Sequence, residues 1–88
     1  MQEFRMLLGE RRRLTLQVTI RDSDAFTIRD ATWRLEGGGT LEEGVAEIVD
    51  HNLRVEVEPK TTGLYQLTVT FSVGTEVIKK RVSIQVGK

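Results

Sequence analysis

The feature that most constrains this chain is an alternation of apolar and polar side chains that recurs along its length. Apolar residues occupy every second position from Leu14 to Ile20, and again from Tyr65 to Val73. A period of two places one set of side chains on a single face of a β-strand. No 11-residue window keeps the i, i+3, i+4, i+7 apolar spacing of an amphipathic helix, so the pattern predicts an all-β protein.

The residue types agree with this pattern. Val, Ile and Thr supply 25 of the 88 residues, and there are only three Ala. β-branched side chains suit a pleated sheet, whereas Ala is the strongest helix former. The chain has no Cys and one His. These counts exclude a disulfide framework, a thiolate metal site and a His-cluster metal site.

Turn-forming residues divide the alternation into seven predicted strands. They cover about residues 4–8, 13–20, 31–36, 45–49, 53–58, 65–73 and 78–86. Seven short strands with one apolar face each predict two packed sheets, as a sandwich or a small barrel. We expect residues 1–88 to form a single domain without a signal peptide or a membrane-spanning segment.

One motif resembles a known family. The stretch Thr61–Leu67, TTGLYQL, resembles the Asp-x-Gly-x-Tyr-x-Cys signature of immunoglobulin-like domains, with Thr for the Asp and Leu for the Cys. The resemblance implies an immunoglobulin-like β-sandwich of about seven antiparallel strands, in which Tyr65 forms a tyrosine corner. It also implies that Trp33 is the core tryptophan. Val18 and Leu67 would occupy the positions of the two bridged cysteines and fill them by packing.

The same stretch, together with the strand at Asp30–Trp33, resembles small immunoglobulin-like modules of phage tail and baseplate proteins. That resemblance implies a non-enzymatic structural or interaction module of a phage or prophage-derived assembly. One alternative is an immunoglobulin-like spacer or adhesion domain of a bacterial surface protein, and another is a carbohydrate-binding module. We expect a virion or cytoplasmic location if the chain is full length, and an extracellular one if it is excised from a surface protein.

The residues that could carry chemistry have simpler structural explanations. His51 could act as a base, but it lies in a polar turn and belongs to no recognised catalytic motif. Asp22, Asp24 and Asp30 could offer oxygens to Ca²⁺, but they lack the spacing of a calcium loop. The run Gly37–Gly39 lacks the Lys-Ser/Thr ending of a phosphate-binding loop and predicts a flexible loop. We therefore expect no catalytic, metal or cofactor site, and no small-molecule ligand.

Charge is unevenly distributed along the chain, although the net charge is zero. Residues 1–35 hold seven basic and five acidic groups, and residues 36–59 hold one basic and seven acidic. Residues 60–88 hold five basic groups and one acidic group. If the acidic strands share one side of the fold, the molecule could bind copies of itself or neighbouring subunits head to tail.

Four residues are candidate contacts for a protein partner. Phe26 precedes the third predicted strand and could be exposed. Lys79, Lys80 and Arg81 lie in the last strand without aromatic neighbours that could stack on bases, so nucleic acid is not the expected partner. Lys80 falls on the inward register, as charged residues do when they protect an exposed strand edge from aggregation.

Overall fold

The computed structural model describes residues 2–20 and 26–88, and for Gln2 the backbone alone. These residues form eight β-strands and no helix. The strands are β1 (Gln2–Leu7), β2 (Arg12–Gln17), β3 (Ile28–Gly37), β4 (Thr40–Val45), β5 (Glu47–Val49), β6 (Asn52–Val57), β7 (Gly63–Val73) and β8 (Glu76–Gly87). The all-β prediction is confirmed.

The strands form two sheets. The larger sheet has the order β1-β8-β7-β3-β4, and the smaller has the order β2-β6-β5. Every neighbouring pair is antiparallel except β1 and β8, which run parallel. The two sheets enclose one apolar core in the manner of a β-sandwich.

The described strands differ from the prediction in number and in one direction. The predicted strand 45–49 covers β5 and only the last residue of β4, because the chain crosses from one sheet to the other at Ala46. Ala46 is buried and its N–H donates to the carbonyl oxygen of Ala31, 3.0 Å away. The apolar residues Val45 and Ala46 are adjacent, as are Ile48 and Val49, so the pattern here is too irregular to show where one strand ends. The alternation also does not show that β1 pairs in parallel with β8, because strand direction does not change which side chains are buried.

The core contains three of the four residues expected there. Leu67 is completely buried, and Tyr65 and Val18 are 2% and 3% exposed. Val18 lies just beyond β2, and its N–H donates to the carbonyl oxygen of His51 at 2.8 Å. Trp33 is only half-buried, because its indole lies at the β4 margin of the core and not at its centre.

The three consecutive glycines form a tight hairpin turn instead of a flexible loop. Gly37 pairs with Thr40, so only Gly38 and Gly39 connect β3 to β4. Both have positive φ angles, 55° and 77°. A two-residue turn of this kind requires such angles at both positions, and glycine adopts them without steric cost.

The other predicted turns are also tight. Asp50 and His51 connect β5 to β6, and Gly74 and Thr75 connect β7 to β8. Residues 2–20 and 26–88 contain no helix that is long and apolar enough to cross a membrane.

Candidate functional site

Tyr65 is fixed at the start of β7 by its hydroxyl group. This group donates a hydrogen bond to the carbonyl oxygen of Thr61 at 3.1 Å and also contacts the Thr61 hydroxyl. The β3–β4 turn packs directly on this corner. A Cβ on Gly37 would lie 2.6 Å from the carbonyl oxygen of Leu64 and 2.7 Å from the Tyr65 ring. Tyr65 therefore joins a loop, a strand and a hairpin turn at one end of the fold.

Trp33 lies at the margin of the larger sheet. It pairs with Gly44 on β4 and with Val69 on β7. Its indole lies across Gly44, since a Cβ there would be 2.7 Å from the indole Cε2 and Cζ2 atoms. Only a residue without a side chain leaves room for this ring. Gly44 thus explains why the indole is half-buried at the edge, although the alternation placed it inward.

A cavity of about 300 Å³ opens beside the indole. Its polar walls come mainly from the smaller sheet and comprise Arg13, Glu47, Arg54 and Glu56. Arg54 and Glu47 form an ion pair at 3.6 Å. An aromatic wall with convergent polar groups is the usual composition of a small-ligand site. No local sequence motif links these four residues, because Arg13 lies on β2, far along the chain from Glu47, Arg54 and Glu56 on β5 and β6.

A second cavity, of about 510 Å³, lies between β1 and β2. Phe4 lines it, and the Arg12 guanidinium lies 5.3 Å from the Phe4 ring centroid. Leu14 and Leu16 supply much of its apolar wall. The stacked guanidinium shields the partly exposed ring, which is a sufficient structural role for this pair.

Phe26 and His51 contact each other. Their ring centroids are 3.8 Å apart and their planes are 12° apart, so the rings stack. The His51 Nε2 atom also lies 3.0 Å from the Phe26 carbonyl oxygen. Phe26 is half-buried and packs against the core. One face of its ring is therefore occupied, and its role as a partner contact stays a prediction.

The basic cluster Lys79–Arg81 lies on a strand edge. β1 pairs with β8 only from Val82 to Gly87. Within the described chain, no strand pairs with the outer side of Glu76–Arg81. All three basic side chains are exposed, and no described acidic group forms an ion pair with them. Their contact with a partner also stays a prediction.

The opposite edge of the same sheet is acidic. β4 pairs only with β3 among the described strands, and it carries the exposed Glu42 and Glu43. Arg34 reaches Glu43 at 3.7 Å, whereas Glu42 has no ion pair to a described residue. Leu41 and Val45 on this strand are 51% and 81% exposed. The edge therefore combines negative charge with apolar surface.

The acidic groups of the smaller sheet are largely neutralised by neighbours. The Arg11 guanidinium lies 3.1 Å from Glu58 and 3.5 Å from Glu56. Lys60 donates a hydrogen bond to Glu58. This hydrogen bond, the one from Arg11 and both positive charges hold the pKa of Glu58 below its ordinary value. Glu56 and Glu58 therefore contribute less unpaired negative charge than Glu42 on β4, which has no ion pair to a described residue.

Asp22, Asp24 and Asp30 are the aspartates that could offer oxygens to Ca²⁺, although no metal site is expected from them. Asp22 and Asp24 lie outside the described residues. Asp30 lies at an irregularity in the β3–β7 pairing and has a φ of 55°. In residues 2–20 and 26–88, no group of three or more His, Asp or Glu side chains could hold a metal ion.

Comparisons with known proteins give information on the fold alone. No protein-family model matches the sequence, and no curated protein matches it significantly. The structure is similar to part of a protein from Bacteroides vulgatus whose crystal structure is named "a putative glycoside hydrolase", with a TM-score of 0.60 and 17% sequence identity. The similarity covers 97% of this chain and 17% of that chain. This chain therefore has the fold of one small portion of that larger protein.

Proposed function

We propose that this chain is an immunoglobulin-like β-sandwich that acts without catalysis, as a structural or interaction module of a protein assembly. The sheet orders β1-β8-β7-β3-β4 and β2-β6-β5 support the immunoglobulin-like class. In that class two sheets of this kind face each other, and a tyrosine at the start of the penultimate strand bonds back to the preceding loop. The bond from Tyr65 to Thr61 has this form.

The observation that carries the interaction function is the pair of oppositely charged edges on the larger sheet. Edge strands are normally protected, because unpaired N–H and C=O groups can pair with another chain. Here both edges also expose apolar side chains, with Val45 at 81% and Val77 at 67% exposure. Charge beside exposed apolar surface is the composition of a protein-binding surface.

The type of assembly that we propose is a phage or prophage tail or baseplate. This origin depends on the resemblance of the stretches Asp30–Trp33 and Thr61–Tyr65 to small modules of phage tail and baseplate proteins. Binding to the protein products of neighbouring genes tests it, with complexes detected by light scattering and contacts mapped by cross-linking. We expect tail or baseplate neighbours and cross-links at Lys79 and Lys80. Neighbouring genes for sugar degradation, with no complex formed, would contradict the proposal. A tandem array of similar domains without specific binding would instead support a surface-protein spacer.

A second candidate function is carbohydrate binding at the Trp33 cavity. Aromatic rings bind the apolar faces of sugars, and the cavity offers guanidinium and carboxylate groups for hydroxyls. The similarity to a portion of a protein named as a glycoside hydrolase is compatible with this candidate. Titration with oligosaccharides, followed by Trp33 fluorescence, decides between the two. A saturable change that is lost in Arg54→Ala supports sugar binding, and an unchanged signal contradicts it.

A further inference from the structure

We infer that copies of this chain add strand to strand, with β4 of one copy pairing antiparallel with residues 76–81 of β8 in the next. The inference deepens the proposed interaction function and depends on it. It names a second copy of the chain as the partner and identifies the two edges that meet.

The strand directions favour this pairing. β8 is antiparallel to β7, β7 to β3, and β3 to β4, so β4 and β8 run in opposite directions through the sheet. A second copy placed beside the first in the same orientation therefore presents its β4 antiparallel to β8. Antiparallel pairing is the more stable of the two arrangements.

The lengths of the two edges also match. β4 has six residues, Thr40–Val45, and the part of β8 that lies beyond β1 has six, Glu76–Arg81. The pairing would continue the hydrogen-bonded ladder of the larger sheet from one molecule to the next. It would also use backbone groups that no described strand engages.

The side chains select one register. With Glu43 opposite Lys79, Glu42 lies opposite Lys80, and Val45 lies opposite Val77. Existing pairings put Glu43, Val45 and Lys79 on the outer face of the sheet, so this register keeps like faces together. In this register Leu41–Val45 lie opposite Arg81–Val77, and only Thr40 reaches a position, Val82, that already pairs with β1. A two-residue shift toward β1 would place Thr40, Leu41 and Glu42 opposite three residues that already pair with β1. The chosen register joins two opposite-charge pairs and the two most exposed valines.

The same charges disfavour symmetric pairing. Two copies of β8 paired with each other would juxtapose Lys79, Lys80 and Arg81, and two copies of β4 would juxtapose Glu42 and Glu43. Like charges directly opposite one another destabilise a strand pair. The basic cluster thus blocks edge-to-edge aggregation while admitting an acidic strand. Since each copy has one edge of each kind, the contact is heterologous: it passes from copy to copy and gives oligomers larger than a dimer, as open chains where the rotation between copies does not close a ring.

The β4 side of the contact includes Trp33. Gly44 would lie opposite Ile78 of the next copy, on the inner face of the sheet. Ile78 is half-buried, and the indole of Trp33 covers Gly44. Assembly would therefore bring an aliphatic side chain to the exposed part of the indole and shift its fluorescence to shorter wavelength.

Two charge-reversed variants test the pairing. Lys79→Glu/Lys80→Glu makes both edges acidic, and Glu42→Lys/Glu43→Lys makes both basic. By sedimentation velocity from about 10 μM to 1 mM, wild type should form concentration-dependent oligomers that grow beyond dimers. Each variant alone should associate about tenfold more weakly or not at all. An equimolar mixture should regain assembly, because every contact then joins an acidic edge to a basic one.

Lys60→Glu/Lys88→Glu is the matched control, because it makes the same charge change away from both edges. It should assemble as wild type does, and circular dichroism should show that all variants are folded. A wild type that stays monomeric to millimolar concentration overturns the inference, as does a mixture that does not assemble. Binding to a neighbouring gene product is scored separately, so failure of self-pairing is distinguishable from failure of the proposed interaction function.

Discussion

The contact between Gly44 and Trp33 predicts an unusual stability effect for Gly44→Ala. A glycine within a strand usually costs about 0.5–1 kcal/mol relative to alanine, so the substitution would ordinarily stabilise the protein. Gly44 does not have a positive φ, and therefore its backbone tolerates a side chain. The new Cβ, however, would lie 2.7 Å from two indole atoms, far inside the ordinary contact range of 3.4–4 Å.

The expected result is a loss of stability. Moving a packed ring to admit a methyl group costs about 1–3 kcal/mol, which exceeds the conformational gain. We expect a net loss of about 1–2 kcal/mol from these two terms. For a domain of this size, that corresponds to a fall in melting temperature of roughly 5–15 °C. Urea unfolding followed by circular dichroism gives the value directly.

The control is the same substitution without the indole. In a Trp33→Leu background, Gly44→Ala should become neutral or stabilising by up to about 1 kcal/mol. The coupling free energy between the two sites should be about 2 kcal/mol, obtained from the double-mutant cycle. Stabilisation by Gly44→Ala in the wild-type background would refute the placement of the indole across β4. Equal effects in both backgrounds would refute it as well.

Two further predictions concern other contacts. Tyr65→Phe removes the hydroxyl that bonds to Thr61 and should lower the free energy of unfolding by about 1 kcal/mol; unchanged stability would contradict the tyrosine corner. The pKa of Glu58 is lowered, chiefly by Lys60 and then by Arg11. A lowered pKa in the folded state contributes stability above the ordinary carboxyl pKa, and this contribution is lost as pH falls through the lowered value. In Lys60→Ala the pKa should rise toward its ordinary value, as measured by NMR titration of the side-chain carboxyl; an unmoved pKa would contradict the assignment of its cause.

Much of the fold follows from the alternation because burial has the same period as the strand. The inward sets containing Val18, Leu67 and Val82 are buried as their positions predict. The alternation does not show which of the two sheets a strand joins, because the strands of both sheets bury one face. The pattern consequently predicts one strand over 45–49, although Val45 and β5 belong to different sheets. Strand direction is equally invisible, because parallel and antiparallel neighbours of an edge strand bury the same side chains.

The candidate sites show the same division between local and long-range information. The Tyr65 bond to Thr61 spans four residues, so a local motif could predict it. The exposure of Trp33 depends on Gly44, eleven positions away on a strand that the alternation did not predict. The free edge at Lys79–Arg81 depends on where β1 ends. Charge counts along the sequence predicted opposite signs but could not assign them to two edges of one sheet.

The measurement that tests the central claim most directly is an NMR dilution series on the uniformly labelled wild-type protein. The claim is that the acidic edge β4 and the basic segment 76–81 of β8 are the interaction surfaces. Amide shifts that depend on concentration should cluster in residues 40–45 and 76–81, and added salt should suppress them because the attraction is electrostatic. Shifts confined to β2, β5 and β6 of the smaller sheet, or no shifts at all up to millimolar concentration, would contradict the claim.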